Sequence, residues 1–250
     1  MLYNNIMIAL QSSNLYFNAA KRMGLDPKWE TDYGLMSFIS GGKKNFIFFS
    51  KTPLNNQMSA DLARNKHFTR VIAEQVGLPN IPYCFPSEEK ELKLFFNNNK
   101  PIIGKPTLGT LSRGVQLIRE HSQLFRLDFS DRIYEKYIDG VEYRFLVLMG
   151  KVIACQKKPL KLKDGKSWDL KYISLKKDEW SVNMINLSIQ AAKALNLNWC
   201  AVDLIKDQFK KNWLLEVNSR PGIVHMHHPD NGEPFDIASK VIKAIIEVRR

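Results

Sequence analysis

The run "WCAVDLIKDQFKKNWLLEVNSRPG", residues 199 to 222, constrains the fold more than any other part of the chain. Two apolar stretches, "WCAVDLI" and "WLLEVNS", flank the polar "KDQFKKN", and Pro221 and Gly222 stop the second. The pattern predicts an antiparallel hairpin. Residues two apart in a strand point the same way, so Glu216 and Asn218 share a face, and Asp203 in the neighbouring strand can meet them there. Hard divalent cations take such oxygen ligands, and Mg²⁺ in particular is usually held by one or two carboxylates with phosphate oxygens and water. An edge hairpin with polar residues on its solvent side fits the same pattern, so the choice depends on the rest of the chain.

Elsewhere the apolar period switches between two and 3.6. Residues 13 to 23 have helical spacing up to Gly24, and "LMSFISGGKKNFIFFS" reads as two strands turned at Gly41 and Gly42. In "MSADLARNKHFTRVIAEQVGLP", Ser59 is a candidate cap. Leu62, Phe68, Val71, Ile72 and Val76 then repeat at helical spacing, so one helix is expected until Gly77 and Pro79 end it. Strands are expected at 101 to 106 and 115 to 119, and in "DRIYEKYI", "EYRFLVLMG" and "KVIACQKK", with turns at Gly140 and Gly150. The basic "KKPLKLKDGKSW" then reads as an exposed loop. A helix over 183 to 196 and a last amphipathic helix carrying Ile237, Val241, Ala244, Ile245 and Val248 complete the pattern. Mixed strands and helices, without internal repeats or low-complexity linkers, give the α+β class.

Three further constellations bear on chemistry. In "IIGKPTLGTLSRGV", Gly104 and Gly109 have P-loop spacing, but Thr110 stands where that motif needs Lys and a strand follows rather than a helix, so it is not a Walker motif. Lys105, Thr107, Gly109, Thr110, Ser112 and Gly114 still supply a cation and a flexible loop of hydroxyls and accessible amides. In "YEKYIDGVEYR", Glu142 and Arg144 alternate onto one face, where a carboxylate can accept from ribose hydroxyls and Arg can bind carboxylate or phosphate. Taken singly, these fit an ordinary hairpin loop and a surface ion pair equally well. Lys66, in the helix that begins near Ser59, is by itself a solvated lysine.

In this order and spacing, "ARNKHFTRVIAEQVGLP", "IIGKPTLGTLSRGV", "YEKYIDGVEYRFLVLMGKVIA" and "CAVDLI" followed by "LLEVNSRPG" resemble the ATP-grasp superfamily of carboxylate-amine ligases over about residues 59 to 250. Within it the chain is most similar to the ATP-grasp part of cyanophycin synthetase and to glutathione-synthetase-like ligases, on "EYRFLVLMGKVIACQKKP", "KDGKS" and "EVNSRPGIVHMHHPDNGEPFDIA". The resemblance implies two α+β lobes, 59 to 138 and 139 to 250, gripping a nucleotide, after a short N-terminal lobe over 1 to 58. It implies ATP and Mg²⁺ as cofactors. Lys66 and Lys105 would contact the nucleotide, and the loop from Thr107 through Gly109 and Ser112 to Gly114 would close over its phosphates. Glu135, Tyr137 and Ile138 match the hinge beside adenine, and Glu142 matches the ribose-binding carboxylate. Arg144 falls near the reacting phosphate, and Asp203, Glu216 and Asn218 match the magnesium ligands. The implied reaction joins a carboxylate to an amine through an acyl phosphate, with Arg144 and Arg220 opposing the charge that develops. The short N-terminal lobe shows no glycine-rich dinucleotide-type turn, so recognition of the first substrate does not carry over.

His225, His227 and His228 invite a zinc reading, but no further Cys or His at recognisable spacing completes such a site. His227 is instead expected to touch the acceptor substrate. Cys84, Cys155 and Cys200 are odd in number and lack CxxC spacing, which suits buried thiols in a reducing compartment. With no basic leader or long apolar run at its start, the chain is expected to be cytoplasmic and not membrane-bound. The net charge of +12 suits an anionic partner such as an acidic peptide, although a lysine-rich surface also serves solubility alone. No nucleic-acid-binding module is recognisable, so nucleic acid is not the expected partner. A modifier of an acidic peptide or protein, a non-catalytic ATP-binding module, and a homo-oligomer or partner chain completing the acceptor site stay open.

Overall fold

A computed structural model describes residues 2–109, 114–126, 131–158, 162–163, 167–168 and 171–248. Its helices are α1 (Leu2–Arg22), α2 (Gln57–Arg64), α3 (Lys66–Gln75), α4 (Glu89–Asn99), α5 (Val182–Ala194), α6 (Val224–His227) and α7 (Ile237–Val248). The N-terminal strands β1 (Lys28–Trp29), β2 (Leu35–Ser40) and β3 (Lys43–Phe48) form one antiparallel sheet. A second sheet has the order β4-β7-β5-β6, from β4 (Tyr83–Cys84), β5 (Ile102–Pro106), β6 (Gln116–Ile118) and β7 (Arg132–Lys136). The largest follows the order β12-β9-β8-β13-β14, from β8 (Gly140–Leu148), β9 (Lys151–Lys158), β12 (Ile173–Ser174), β13 (Trp199–Asp207) and β14 (Asn212–Asn218). Between β9 and β12, β10 (Leu162–Lys163) and β11 (Ser167–Trp168) pair with each other inside the stretch expected as a loop.

Alternation of residue type gives the large sheet two unlike faces. Phe145, Val147, Cys155, Cys200, Val202, Leu204 and Val217 point to the back, where they pack with Met184, Leu187, Ala191 and Ala192 of α5 and with Ala63 and Ala73 of α2 and α3. The front is divided. Leu146, Leu148, Ala154, Trp199 and Ala201 pack with α1, α7 and the inner residues Met36, Phe38 and Ile47 of the N-terminal sheet. The other half of that face carries polar residues and holds the site. The small sheet covers α4 through Leu92, Phe96, Ile102, Ile118 and Tyr134.

Several expectations need correction. The single helix expected from Ser59 to Val76 breaks at Asn65, which ends α2 and caps α3. Its side-chain oxygen accepts from the N–H groups of His67 and Phe68 at 3.0 and 3.2 Å, the local competition with backbone that makes Asn a capping residue. Ser59 is not the cap of α2; Asn56 is, accepting from the Ser59 N–H at 2.8 Å. Gly140 does not turn the chain but opens β8, where an added Cβ would lie 2.4 Å from the Lys206 carbonyl oxygen. Helix α4 was not foreseen. Among the described residues, no helix is long and apolar enough to cross a membrane.

Candidate active site

The hairpin of β13 and β14 forms as expected, with Asp203 opposite Glu216. Extending across the sheet, Gln156, Arg144, Asp203 and Glu216 are successive cross-strand partners on β9, β8, β13 and β14. The register then slips, since Leu204 opposes Leu214 and Leu215 is the extra residue of a bulge. Leu214 consequently packs in the rear core although Glu216, two residues on, belongs to the front.

Asp203 is 1% exposed, and Arg144 donates to both its oxygens, from Nε to Oδ1 at 2.7 Å and from Nη2 to Oδ2 at 2.6 Å. Burial alone would raise the Asp203 carboxyl, but Arg144 and then Lys158 outweigh it and hold it well below the usual carboxylate range. Asn218 Nδ2 donates to Glu216 Oε1 at 2.7 Å, which binds these two into one platform. Behind them Lys158 pairs with Glu142 and lies 3.8 Å from Asp203 Oδ1. Burial and the neighbouring Asp203 raise the Glu142 carboxyl while Lys158 and Arg144 oppose them.

The facing wall comes from α3 and the small sheet. Lys66 opens α3; its N–H donates to the Thr107 carbonyl at 2.9 Å and its ammonium to the Gly109 carbonyl at 3.0 Å. Burial lowers the Lys66 pKa, with Glu216 opposing and Lys105 adding to the shift. Glu135 is buried between Lys105, at 2.7 Å, and Arg70, at 2.9 Å. Burial would raise its carboxyl, but Arg70 and Lys105 hold it down to about 2. The Glu135 side chain is therefore engaged within the protein, whereas Tyr137 and Ile138 are half-buried where β7 leads into β8. Arg70 also donates to the Leu214 and Leu215 carbonyls, each at 2.6 Å, reading both oxygens of the bulged segment with one planar fork. Arg132 Nη2 donates to the Gly114 carbonyl at 2.8 Å, fixing the far end of the glycine loop. Ser112 lies outside the described residues.

Between these walls is a cleft of about 370 Å³ lined by Arg64, Lys66, Gly109, Glu216, Asn218 and Arg220, among others. Five of the residues singled out in the sequence thus share one space: Lys66, Gly109, Glu216, Asn218 and Arg220. Lys105, Thr107, Glu135 and Asp203 are buried around it. Glu216 and Asn218 suit a hard cation as accessible oxygen donors, Asn218 by offering its carbonyl oxygen in place of the amide nitrogen. Asp203 fits differently, since both its oxygens already accept from Arg144. Among the described residues, no group of three or more His, Cys, Asp and Glu side chains is arranged to hold a metal. The His227 ring, expected to touch the acceptor substrate, is engaged within the protein at one nitrogen: its Nε2 accepts from the N–H groups of Ile237 and Ala238, both at 3.1 Å, and so caps α7. His225 stacks on Tyr172, with ring centroids 3.8 Å apart. Sequence reading missed Arg70, Arg64 and Lys158; Lys158 was signalled by its alternation with Gln156 along β9.

The pattern that defines the RimK-like ATP-grasp domain matches residues 63–245. The chain belongs to that family. ATP-grasp ligases are enzymes that use ATP and form carbon–nitrogen bonds. A probable alpha-L-glutamate ligase of Hydrogenovibrio crunogenus is 26% identical over 220 residues, covering 81% of this chain and 69% of that protein. The ATP-grasp ligase PsnB, solved with a minimal precursor, superposes with a TM-score of 0.67 at 17% identity over 79% of this chain; the match spans 63% of PsnB. The macrocyclase MdnC of Microcystis aeruginosa MRC, solved with precursor peptide MdnA, gives a TM-score of 0.69 at 14% identity over 95% of this chain and 96% of MdnC. The structural likenesses establish the shared ATP-grasp fold.

Proposed function

We propose that this ATP-grasp domain forms an amide or peptide bond on an amino acid or small peptide, through an acyl phosphate. The cleft supports the reading most directly, because it sets the Glu216–Asn218 platform against Lys66 and the Gly109 carbonyl it holds. A substrate carboxylate attacks the γ-phosphorus of ATP, and the bond to the ADP oxygen breaks. An amine then attacks the acyl carbon, losing a proton, and phosphate departs as the amide forms. Such transfers ask the protein chiefly for positioning and charge neutralisation. Lys66 and Lys105 hold the phosphates under the loop from Thr107 to Gly114, and Tyr137, Ile138 and Glu142 serve the nucleoside end. Arg144 keeps Asp203 ionised behind Glu216, and Arg220 offers the cleft a guanidinium with no hydrogen-bond or ion-pair partner among the described residues. When bound, Mg²⁺ would be held by Glu216 and Asn218 with Asp203 in support, and would neutralise phosphate charge. Residues 59 to 138 and 139 to 250 act as the two gripping lobes, and 1 to 58 as a short third.

The solved neighbours named above hold a minimal precursor and a precursor peptide, which is why peptides join amino acids in the substrate panel. With ATP, Mg²⁺ and hydroxylamine, the expected result is ADP release and an acyl hydroxamate from at least one member. Glu216→Ala is expected to slow that release on the order of a hundredfold or more. The reading fails if no pool releases ADP and Glu216→Ala and Asp203→Ala leave Mg²⁺-nucleotide binding unchanged.

A further inference from the structure

A second cleft, of about 290 Å³, opens on the α5 side of the large sheet, where Asn183, Asn186 and Gln190 of α5 share its lining with Pro79, Lys211 and Asn212. The three α5 positions are exposed and fall at i, i+3 and i+7, on one face of the helix. Charged residues make up 25% of the chain, yet Lys193 is the only one in α5. Its exposed side is therefore built from amides, although asparagine forms helix less readily than the lysine or glutamate usual at such positions. Asn212, at the start of β14, has a buried side-chain oxygen with no hydrogen-bond partner among the described residues, an acceptor left unsatisfied at a cost. Lys211 holds its ammonium 3.7 Å over the centre of the Trp213 ring and has no carboxylate partner among the described residues.

The backbone that Arg70 grips joins this cleft to the first. The Pro79 carbonyl accepts from the Leu214 N–H at 2.8 Å, two residues beyond Asn212. Asn80 exchanges two hydrogen bonds with Arg70: its Oδ1 accepts from Nη1 and its Nδ2 donates to the Arg70 carbonyl, both at 2.8 Å. Arg70 lines the first cleft together with Leu215, and holds the Glu135 that pairs with Lys105. A ligand bridging α5 to Pro79 and Asn212 thus fixes the segment that sets Arg70 and the β14 bulge.

A carboxamide offers two donors and an acceptor, so a row of them pairs with another carboxamide by bonds running both ways. The single cation suits one carboxylate. No acid among the described lining residues balances a ligand's ammonium. We propose that the second cleft binds a small monocarboxylate that carries a carboxamide and no ammonium, and that its occupancy tightens nucleotide binding in the first cleft. This goes beyond the ligase reading and takes from it only the place of the nucleotide.

The test uses the full chain, with glutaramate, the monoamide of glutarate, and Mg²⁺-ATP as probes in calorimetric titrations. Wild type is expected to bind glutaramate, and to bind glutarate about tenfold more weakly. Asn186→Ala and Gln190→Ala, at exposed positions where alanine favours the helix, should each weaken glutaramate about three- to tenfold and keep wild-type affinity for Mg²⁺-ATP. Saturating glutaramate should tighten Mg²⁺-ATP about fivefold, and Mg²⁺-ATP should tighten glutaramate by the same factor. Asn80→Ala, which cuts the link to Arg70, should bring that factor towards one. The proposal is overturned if glutaramate does not bind at millimolar concentration, if glutarate binds as well, or if neither α5 variant changes the affinity. It is equally overturned if Mg²⁺-ATP leaves glutaramate binding unchanged, or weakens it, which would put glutaramate in the first cleft. Failure of the ligase reading shows otherwise, as no ADP release from any substrate while glutaramate binding keeps its dependence on Asn186.

Discussion

Arg70 joins three parts of the chain through one side chain. From α3 it reaches Glu135 on β7, Asn80 in the following loop, and two consecutive carbonyls of β14. Arg70→Met removes the charge but leaves Glu135 buried with Lys105 alone and strands the carbonyl oxygens, so a loss of about 3–5 kcal/mol is expected in urea unfolding. Arg70→Lys should recover only part of it, since an ammonium cannot span the same oxygens with a planar fork. This residue was not legible in the sequence, because an arginine in a helix reads as solvated. Its one signal was position, three residues before the buried Ala73 on the same helical face. Glu216, Asn218 and Asp203 were legible because strand alternation fixes direction without knowledge of packing. The bidentate hold of Arg144 on Asp203 was not, since alternation on each strand leaves the cross-strand register open.

At the scale of elements, the large sheet, α5 and α7 follow from apolar period, and errors cluster where an amide side chain intervenes. Asn65 divides one periodic stretch into two helices without Gly or Pro to announce it. The charged opening of α4 and its "NNN" end obscured a helix whose buried face is only Leu92 and Phe96. The helix α7 gets N-terminal acceptors from two sources: the neighbouring Asp236, whose Oδ1 accepts from the Ser239 N–H at 3.2 Å, and the distant ring of His227, which takes the N–H groups of Ile237 and Ala238. That ring must be neutral at Nε2 to accept. Burial lowers the His227 pKa from 6.5 to about 4, with Asp236 opposing and His228 adding to the shift. Its folded pKa lies below the unfolded one, so its contribution is complete above about 6.5 and is lost as pH falls through about 4. His227→Ala should cost about 0.5–2 kcal/mol at neutral pH, the range for losing a helix cap. The gap from wild type should narrow across that pH window in denaturant melts.

On the scale of the whole molecule, the paired carboxylates connect the sheets and set the acid limit. Glu135 falls from 4.5 to about 2 on folding, so the stability it contributes is present above 4.5 and lost as pH drops towards 2. Urea midpoints should decline steeply in that interval. Lys105→Met, in which one of the two cations lowering Glu135 is gone, should start less stable and fall less. The net charge of +12 works in the same direction, because protonating acids only adds to the repulsion among cations. The bulge at Leu215 has a consequence of another kind. In an unbroken strand Leu214 and Glu216 would share a side, so either the carboxylate would sink into the rear core or a leucine would project into the cleft. One surplus residue lets a single strand serve oil behind and water in front, each in its own half. What that strand contributes is therefore fixed by counting as much as by chemistry: keep every residue but pair them without the bulge, and every letter is still suitable, but those on one side of Leu215 face the wrong rooms.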